Sequence, residues 1–344
     1  MKFDLAIGNP PYQSDSESMH PIYPDFMENA FHKASVVEVV TPGRFLFNAG
    51  KTPSEWNERV LSDSHFRVLL YFGDSREVFQ SVRFMGGVAV TCRDIQHQGE
   101  SIGVFLPQKE LRSIFEKVRR QMGKSLADSI CLQSHFNLEV LFADCPRSRK
   151  LISSGGQERR LTGGVLGRIP VFHEEKQSDA DVLIVGVVDK VRVCRWIDSK
   201  YIVKNPNFDK FKVLVPKSYG ASAVIDGGPT IVIGKPTLAD VGVGYTQSFV
   251  GIGNFVARSE AEACLKYVRS KFARCMVGVL KVTQHNPRGT WKYVPEQDFS
   301  EQSDIDWGCS VADIDKQLYA KYGLSSDEIA FIEGCMKEFC DEEI

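Results

Sequence analysis

The tetrapeptide Asn9-Pro10-Pro11-Tyr12 constrains this chain more than any other feature of its sequence. It directly follows FDLAIG, a short apolar run at residues 3–8 that is typical of a buried strand. Two consecutive prolines fix φ near about −65° and keep the preceding asparagine out of the helical region, so the chain leaves the strand in a stiff turn. Ligands of open α/β sheets bind at the carboxyl ends of strands. The sequence therefore predicts a rigid loop placed where such sheets hold their sites.

This loop carries the groups needed to hold an adenine. Asn9 offers an amide oxygen, Pro10 a backbone carbonyl and Tyr12 an aromatic ring. Two acceptors that converge on an exocyclic amine take both N6 hydrogens and keep electron density on the nitrogen. Such a base must first be extruded from the duplex, and stacking on the ring offsets about 1–3 kcal/mol of the lost stacking. The alternative interpretation is a rigid turn with a structural role alone.

The rest of the chain indicates three segments. Residues 1–108 alternate strands and helices, with helices predicted at 26–34 and 56–61, a β-branched run at 36–46 that is broken by a turn at Pro42-Gly43, and strands at 66–72 and 88–92. This alternation predicts a mostly parallel α/β sheet. Helices at 109–121 and 126–132 begin an irregular α+β region, 109–295, with strands at 182–188, 212–216 and 230–234 and a helix at 259–276. Residues 296–344 predict two closing helices, the second opening at Ser325 with a capping-box pattern.

Composition excludes several classes of protein. The chain of 344 residues is 43% apolar and 25% charged, which excludes a disordered or fibrous protein. It has no apolar run long enough to span a membrane and no export signal, and its nine cysteines lack CxxC spacing, so we expect a cytoplasmic protein with reduced thiols and no metal site. Residues 296–344 contain 14 acidic and 3 basic residues, which leaves 39 basic and 30 acidic residues in 1–295. That basic main body suits a polyanionic partner.

The segment FDLAIGNPPYQ resembles the catalytic motif of the S-adenosylmethionine-dependent DNA N6-adenine methyltransferases of type II restriction–modification systems. Segments 66–79, 83–94, 255–295 and 310–333 are similar to later parts of the same family. The resemblance implies that Asn9 and Pro10, stiffened by Pro11, hold the adenine amine and that Tyr12 stacks on the base. A second aromatic residue covers the other face, and the candidates are Phe79 and Phe84. Phe3 is expected in the core, and Asp4 either caps the strand end or faces the cofactor.

The resemblance also implies a fold class: a partial Rossmann-like methyltransferase sheet that starts at its catalytic strand (1–108), an α+β target-recognition domain (109–295) and an acidic helical tail (296–344). The family's glycine-rich cofactor loop is not found before the motif. Two GxG tripeptides, Gly242-Val243-Gly244 and Gly251-Ile252-Gly253, are interpreted as turns. We therefore expect a separate subunit, or the rest of a longer reading frame, to supply the cofactor-binding half, and an apolar strand edge at residues 3–8 to lie unpaired without it.

The expected partner is double-stranded DNA. Eight basic and two acidic residues lie between Arg258 and Lys292. Within this stretch, cations near helical spacing are followed by amide, imidazole and guanidinium groups that can contact phosphates and base edges. The candidates are Lys271, Arg274, Lys281, Gln284, His285 and Arg288. A second basic patch comprises Arg147, Arg149, Lys150, Arg159 and Arg160, near an exposed loop predicted at 153–164. Both stretches are also compatible with solvated surfaces that bind nothing.

Three alternatives remain open from the sequence. The chain could be a non-catalytic DNA-binding or specificity module of a restriction–modification system. It could be a fragment of a fused endonuclease–methylase, because Asp181 with Asp189 and Lys190 has the form of a metal-dependent nuclease site, although Asp189-Lys190 also fits a hairpin turn. The same loop chemistry would also serve methylation of a protein amide or of RNA, but a long recognition region after the motif favours DNA.

Overall fold

The computed structural model describes residues 3–14, 20–48, 51–81, 86–220, 229–281 and 283–339. The chain forms two compact units, residues 1–108 and 109–344. In the described ranges, no helix is long and apolar enough to cross a membrane.

The first unit is a four-stranded sheet with two helices. Its elements are β1 (Phe3–Gly8), α1 (Tyr23–Lys33), β2 (Ala34–Pro42), α2 (Ser54–Ser62), β3 (Phe66–Phe72) and β4 (Val88–Asp94). The strand order is β1-β2-β4-β3; β1 and β2 pair in parallel, and β4 pairs antiparallel with both β2 and β3. Three strands thus run in one direction with β4 reversed between two of them. The prediction of a mostly parallel sheet is wrong, because two of its three neighbouring pairs are antiparallel.

One face of this sheet carries the core of the first unit. Alternation along β2 buries Val37 and Val39, which join Met27 of α1 and an aromatic cluster that includes Phe45, Trp56 and Phe66. The ring centroids of Phe45 and Trp56 lie 5.3 Å apart. After β2 the chain enters a short 3₁₀ helix, Gly43–Phe47, so the break predicted at Pro42-Gly43 is confirmed. The break follows from Pro42, which ends the ladder because it has no N–H to donate.

The second unit combines small sheets with helices. Its elements to the middle of the unit are α3 (Lys109–Gln121), β5 (Ile130–Cys131), β6 (His135–Phe136), α4 (Leu138–Asp144), α5 (Ser153–Gly156, a single turn), α6 (Val165–Arg168), β7 (Asp181–Val188), β8 (Val191–Asp198) and β9 (Ile202–Val203). The remainder are β10 (Phe211–Pro216), β11 (Thr237–Ala239), β12 (Val243–Tyr245), β13 (Phe249–Phe255), α7 (Arg258–Arg269), α8 (Lys271–Gly278), α9 (Val311–Lys321) and α10 (Ser326–Cys335). The described strands form sheets of order β11-β10-β13-β5, β12-β7-β8 and β6-β9.

Two strand or helix predictions in this unit are wrong. Residues 126–132 form a 3₁₀ turn and the short β5 rather than a helix, because Ser125 caps the turn and its chain then pairs with β13. Residues 230–234 form no strand: Val232 has a φ of 70°, and Thr230 instead makes an isolated bridge to Met336. Both segments are short and apolar, a pattern that periodicity alone does not assign.

The described part of the acidic segment, residues 296–339, belongs to the second unit. Helix α10 contacts α3 and α8, and α9 contacts α7 and α8. The predicted capping box is present: Ser325 Oγ accepts from the Glu328 N–H, and Glu328 Oε2 accepts from the Ser325 N–H. Glu328 also bonds Lys117 of α3 at 2.7 Å, which ties the end of the chain to the start of the unit.

Candidate functional site

The Asn9–Tyr12 loop leaves the carboxyl end of β1 and returns at once toward α1. The Ile22 N–H donates to the Tyr12 carbonyl at 3.2 Å, and the Ser14 N–H donates to the His20 carbonyl at 3.0 Å. These bonds close the loop just before α1 begins. Asn9 is exposed while Tyr12 is half-buried. The polar group of the motif thus faces solvent, and its aromatic group is anchored in the protein.

Tyr12 lies against Phe79. Their ring centroids are 6.4 Å apart with an interplanar angle of 72°, an edge-to-face contact. Burial raises the pKa of the Tyr12 phenol, so the ring stays neutral at physiological pH. Phe79 is held by its N–H, which donates to the Ser75 carbonyl at 2.8 Å. Of the two candidates for the second stacking face, the structure brings Phe79 to the loop, whereas Phe84 lies outside the described residues.

The structure adds Arg44, which sequence reasoning missed. Because β1 and β2 are parallel, the loops that follow them leave the same edge of the sheet. The loop after β2 is fixed by Gly43, whose N–H donates to the Gly87 carbonyl at 2.9 Å; a Cβ at Gly43 would lie only 2.6 Å from the Gly86 carbonyl oxygen. Arg44 follows in an exposed position. The signal was the TPGR turn at 41–44, which places a cation after a strand end.

The two other N-terminal candidates are exposed. Phe3 is 55% exposed, so its prediction as a core residue is wrong. The reason is strand alternation: Ala6 packs against the core, which puts Phe3, Leu5 and Ile7 on the opposite face. Asp4 is also exposed at the start of β1. It lies about 16 Å along the strand from Asn9 at about 3.3 Å per residue.

The face of β1 away from the core is an exposed apolar surface. Leu5 is 51% exposed and Ile7 is 71% exposed, so the prediction of a buried strand is wrong for the described chain. The other edge strand, β3, has a register shift between Val68 and Leu70, a bulge of the kind that blunts edges. By contrast, β1 pairs with β2 without interruption from Leu5 to Gly8 and has no neighbour on its other side among the described strands. This regular edge is suited to pairing with a further strand.

Two of the cations predicted to bind DNA are buried. Arg274 is 2% exposed and donates to four carbonyls, those of Arg269, Ser270, Ile231 and Lys337. Burial lowers its pKa from 12.5 to about 10. Lys281 is 1% exposed and donates to the Tyr219 carbonyl at 3.1 Å, and burial lowers its pKa as well. Their assignment to DNA contact is wrong, because neither side chain reaches the surface.

Lys271 is also engaged within the protein. Its Nζ lies 2.6 Å from Glu333 Oε2 and 3.5 Å from Glu338 Oε1. The helix predicted for 259–276 is in fact two helices, since Ser270 lies between α7 and α8 and its Oγ caps the second by accepting from the Ala273 N–H. This break removes the common helical face on which the three cations were expected.

The later part of the predicted DNA-binding stretch does reach the surface. Gln284, His285 and Arg288 are exposed. This loop is held by an antiparallel bridge between His285 and Ser218 and by the Tyr219 N–H, which donates to the Gln284 carbonyl at 2.9 Å. Arg288 Nε donates to the Ala127 carbonyl at 2.7 Å. The structure therefore leaves two exposed polar side chains and one tethered arginine available to a ligand.

The interpretation of the GxG tripeptides as turns is confirmed for Gly242, which lies in a turn with a φ of 80° directly before β12, and is wrong for Gly251-Ile252-Gly253, which lies within β13. Gly244 lies within β12 and Gly251 within β13. A Cβ on Gly244 would lie 2.6 Å from Ile184 Cδ1, and one on Gly251 would lie 2.4 Å from the Tyr245 hydroxyl. Both glycines serve close packing between sheets and offer no open cradle for a cofactor.

The Asp189-Lys190 pair forms the predicted hairpin turn. β7 and β8 pair antiparallel in continuous register from Asp181–Asp198 to Val188–Val191, and the two turn residues have φ of 48° and 67°. Asp181 lies at the opposite end of the hairpin, about 25 Å away at about 3.3 Å per residue. Its carboxylate accepts from the N–H groups of Gln177 and Ser178. These three residues therefore do not assemble into a nuclease site.

Comparison with known proteins bears on the first unit. The profile of the Eco57I restriction-modification methylase family matches residues 1–79. Residues 1–79 are therefore similar to restriction–modification methylases, which confirms the resemblance seen in the motif. The second unit lies outside this match.

Three further proteins show similarity. An uncharacterized adenine-specific methylase of Mycoplasma pneumoniae is 25% identical over 109 residues, which is 30% of this chain and 26% of that protein. The type IIL restriction-modification enzyme MmeI in complex with DNA matches with a TM-score of 0.40 at 12% identity, over 96% of this chain and 56% of that one. The type IIG restriction endonuclease BpuSI matches with a TM-score of 0.35 at 10% identity, over 94% of this chain and 49% of that one. The chain thus spans about half or less of the proteins it matches.

Proposed function

We propose that this chain carries the catalytic loop and the target-recognition region of a restriction–modification DNA methyltransferase that modifies adenine at N6. Residues 1–108 form its catalytic part, a partial Rossmann-like methyltransferase sheet; residues 109–295 form the recognition part, and 296–344 close the second unit. The observation that carries the proposal is the Asn9–Tyr12 loop at the carboxyl end of β1, with Asn9 exposed and Tyr12 anchored against Phe79.

In this proposal, the loop holds an extruded adenine. The Asn9 side-chain oxygen and the Pro10 carbonyl accept the two N6 hydrogens, which leaves the nitrogen lone pair free to attack a methyl group. Pro10 and Pro11 fix the spacing of these acceptors because their φ angles are locked. Tyr12 supplies a neutral ring for stacking, and Phe79 is the candidate for the opposite face after it turns from its present edge-to-face contact.

The methyl donor of the proposed reaction is S-adenosylmethionine, and the described residues do not form a site for it. Gly244 and Gly251 are packed inside the second unit, and Asp4, the acidic candidate, is exposed at the far end of β1. The donor site belongs instead to a segment that completes the sheet, on the same or another polypeptide.

The free edge of β1 is the place for that segment. Phe3, Leu5 and Ile7 present an apolar face beside a regular, unbulged edge, and burying such side chains is worth about 1.5–3 kcal/mol each. A parallel strand added at this edge, with helices over the apolar face, would place a cofactor at the same carboxyl edge as Asn9. The chain alone would then bind DNA without transferring a methyl group, which is the behaviour of a specificity module.

The proposal is tested by methyl transfer from labelled S-adenosylmethionine to duplex DNA. The enzyme is purified from its own cells with any partner that remains attached, as the parent and as the Asn9→Ala variant. We expect label in N6-methyladenine with the parent and a loss of transfer by at least about two orders of magnitude with the variant, an effect of about 3 kcal/mol. Asn29→Ala, which removes an exposed asparagine of α1, is the control. Label in another base, or in protein, would refute adenine-N6 methylation.

A further inference from the structure

A basic surface in the second unit is not used by the proposed catalytic loop. Residues 146–160 contain five basic residues and one acidic residue. Arg147, Arg149, Lys150, Arg159 and Arg160 are all exposed. The acidic residue, Glu158, is already paired with Arg160, whose Nε lies 2.8 Å from Glu158 Oε1. The remaining four cations, Arg147, Arg149, Lys150 and Arg159, are called the 147–159 surface below.

These cations differ from several others exposed on the same unit. No carboxylate of the described residues pairs with any member of the 147–159 surface. Several exposed cations elsewhere on the unit do have carboxylate partners: Lys200 with Asp144, Lys204 with Asp209, Arg258 with Asp240 and Lys316 with Asp313. Four unpaired cations within a short stretch repel one another, so binding of a polyanion lowers the electrostatic free energy of this surface.

The backbone beneath the 147–159 surface is fixed. Ile152 and Leu161 are buried in one apolar cluster and anchor both ends of the loop. The Phe136 N–H donates to the Arg159 carbonyl at 2.6 Å, and His135 bridges Arg160, so this end of the loop is attached to β6. The cations are therefore mounted on a rigid base rather than on a free tail.

Arg149 is positioned by its neighbours. Its guanidinium carbon lies 5.5 Å from the centre of the Phe142 ring. Gly156, which has a φ of +86°, lies against the stem of Arg149; a Cβ there would lie 2.7 Å from Arg149 Cγ and 3.0 Å from the Arg149 carbonyl oxygen. Because glycine leaves this space, the arginine stem passes beside the turn while the side chain remains exposed. The side chain is therefore partly ordered before it binds a ligand, which lowers the entropy cost of binding.

We propose that the 147–159 surface binds the phosphate backbone of duplex DNA. The proposal rests on the proposed function, which makes DNA the substrate. The cations first expected to neutralise phosphates do not serve this purpose, because Arg274 and Lys281 are buried and Lys271 is paired with glutamates. The 147–159 surface supplies exposed cations in their place. Arginine and lysine on a fixed loop contact phosphates and set the position of a protein on DNA without reading sequence. The exposed Gln284 and His285 remain the candidates for contacts to base edges.

The test is the salt dependence of DNA binding by the full chain. Anisotropy of a labelled duplex is measured over a series of KCl concentrations for the parent, for Arg147→Ala/Lys150→Ala/Arg159→Ala and for the control Lys109→Ala/Lys204→Ala/Lys316→Ala. Each phosphate contact contributes about 0.9 to the slope of log K against log salt, so the first variant should lose about 2–3 from that slope and the control should lose little. Gly156→Ala, which displaces Arg149, should weaken binding with the slope reduced by about one.

The outcomes separate this inference from the proposed function. A slope in the first variant equal to that of the parent overturns the inference, and so does a parent chain that does not bind DNA. If that equal slope accompanies loss of methyl transfer in Asn9→Ala, the inference alone fails. A reduced slope with unimpaired transfer in Asn9→Ala supports the surface and refutes the catalytic role of the loop.

Discussion

Replacement of Arg274 by alanine distinguishes a structural arginine from a DNA contact. Its Nε donates to the carbonyls of Arg269 at 3.1 Å and Ser270 at 3.2 Å, and one terminal nitrogen donates to those of Ile231 at 3.3 Å and Lys337 at 2.6 Å. The guanidinium also lies 4.7 Å from the centre of the Phe339 ring. These contacts join α8 to residue 231 and to the segment after α10, so their loss should loosen the end of the second unit.

The magnitude follows from opposing contributions. Four hydrogen bonds from a charged donor contribute about 6 kcal/mol if each is given about 1.5 kcal/mol, the low end of the range. Burial opposes this, since it lowers the Arg274 pKa from 12.5 to about 10, and each pKa unit corresponds to about 1.4 kcal/mol, or about 3 kcal/mol in all. The net loss on substitution is therefore about 3 kcal/mol. In a unit of this size, that loss lowers the melting temperature by roughly 6–12 °C.

The assay combines calorimetric unfolding with DNA binding measured below the transition. Arg274→Ala should unfold earlier, while its folded fraction binds DNA with the salt dependence of the parent. The matched control is Arg147→Ala, an exposed arginine whose loss should leave stability unchanged within about 0.5 kcal/mol. An Arg274→Ala protein as stable as the parent but weaker on DNA would refute this account and restore Arg274 as a DNA contact.

Three further predictions concern other parts of the chain. Burial raises the pKa of Asp315 to about 6, although its carboxylate accepts from the N–H groups of Lys271 and Phe272, so the folded state binds the proton more tightly than the unfolded chain. In denaturant titrations, the free energy of unfolding of the parent should therefore rise relative to that of Asp315→Asn, by up to about 3 kcal/mol, as the pH falls from about 6 to 4. A difference between the two proteins that does not change with pH would contradict this prediction. Lys190→Gly should raise the free energy of unfolding by about 1 kcal/mol, because Lys190 has a φ of 67° that glycine adopts without strain, whereas Lys190→Ala should not raise it. Loss of Mg²⁺-dependent DNA cutting in the glycine variant would instead indicate a nuclease role for this turn. Leu5→Lys should leave the fold of this chain intact but abolish methyl transfer by the complete enzyme, because it places an unpaired charge in the surface that the proposed cofactor-binding segment covers. Ile95→Lys, at a site that is 42% exposed, is the control, and equal methyl transfer by the two variants would refute the role of this edge.

Local sequence signals predicted those elements that local forces determine. The Asp189-Lys190 turn follows from two β-branched runs separated by two residues, and the capping box at Ser325 from its own spacing. The loop after β1 follows from its two prolines. Phe79 was one of two aromatic candidates, and only the tertiary contact with Tyr12 distinguishes it in the described structure.

The predictions from sequence were wrong for residues whose burial or exposure is decided by tertiary contacts. Arg274 has the spacing of a surface cation, and nothing in its neighbourhood along the chain indicates that carbonyls from residues 231 and 337 surround it. Phe3 has the pattern of a core residue, but its face of the sheet is uncovered in the described chain. Periodicity along the chain contains no information about such distant contacts, nor about whether a face of a sheet is covered.

We propose that the side-chain oxygen of Asn9 accepts a hydrogen bond from the adenine amine. The most direct test is a genome-wide map of N6-methyladenine in cells that carry the parent, Asn9→Asp or Asn9→Ala form of the chain. We expect the parent to methylate one recurring sequence. Asn9→Asp, which keeps an acceptor oxygen, should leave residual methylation of that sequence, and Asn9→Ala should leave none. Full methylation of the same sequence in cells that carry Asn9→Ala would contradict this proposal.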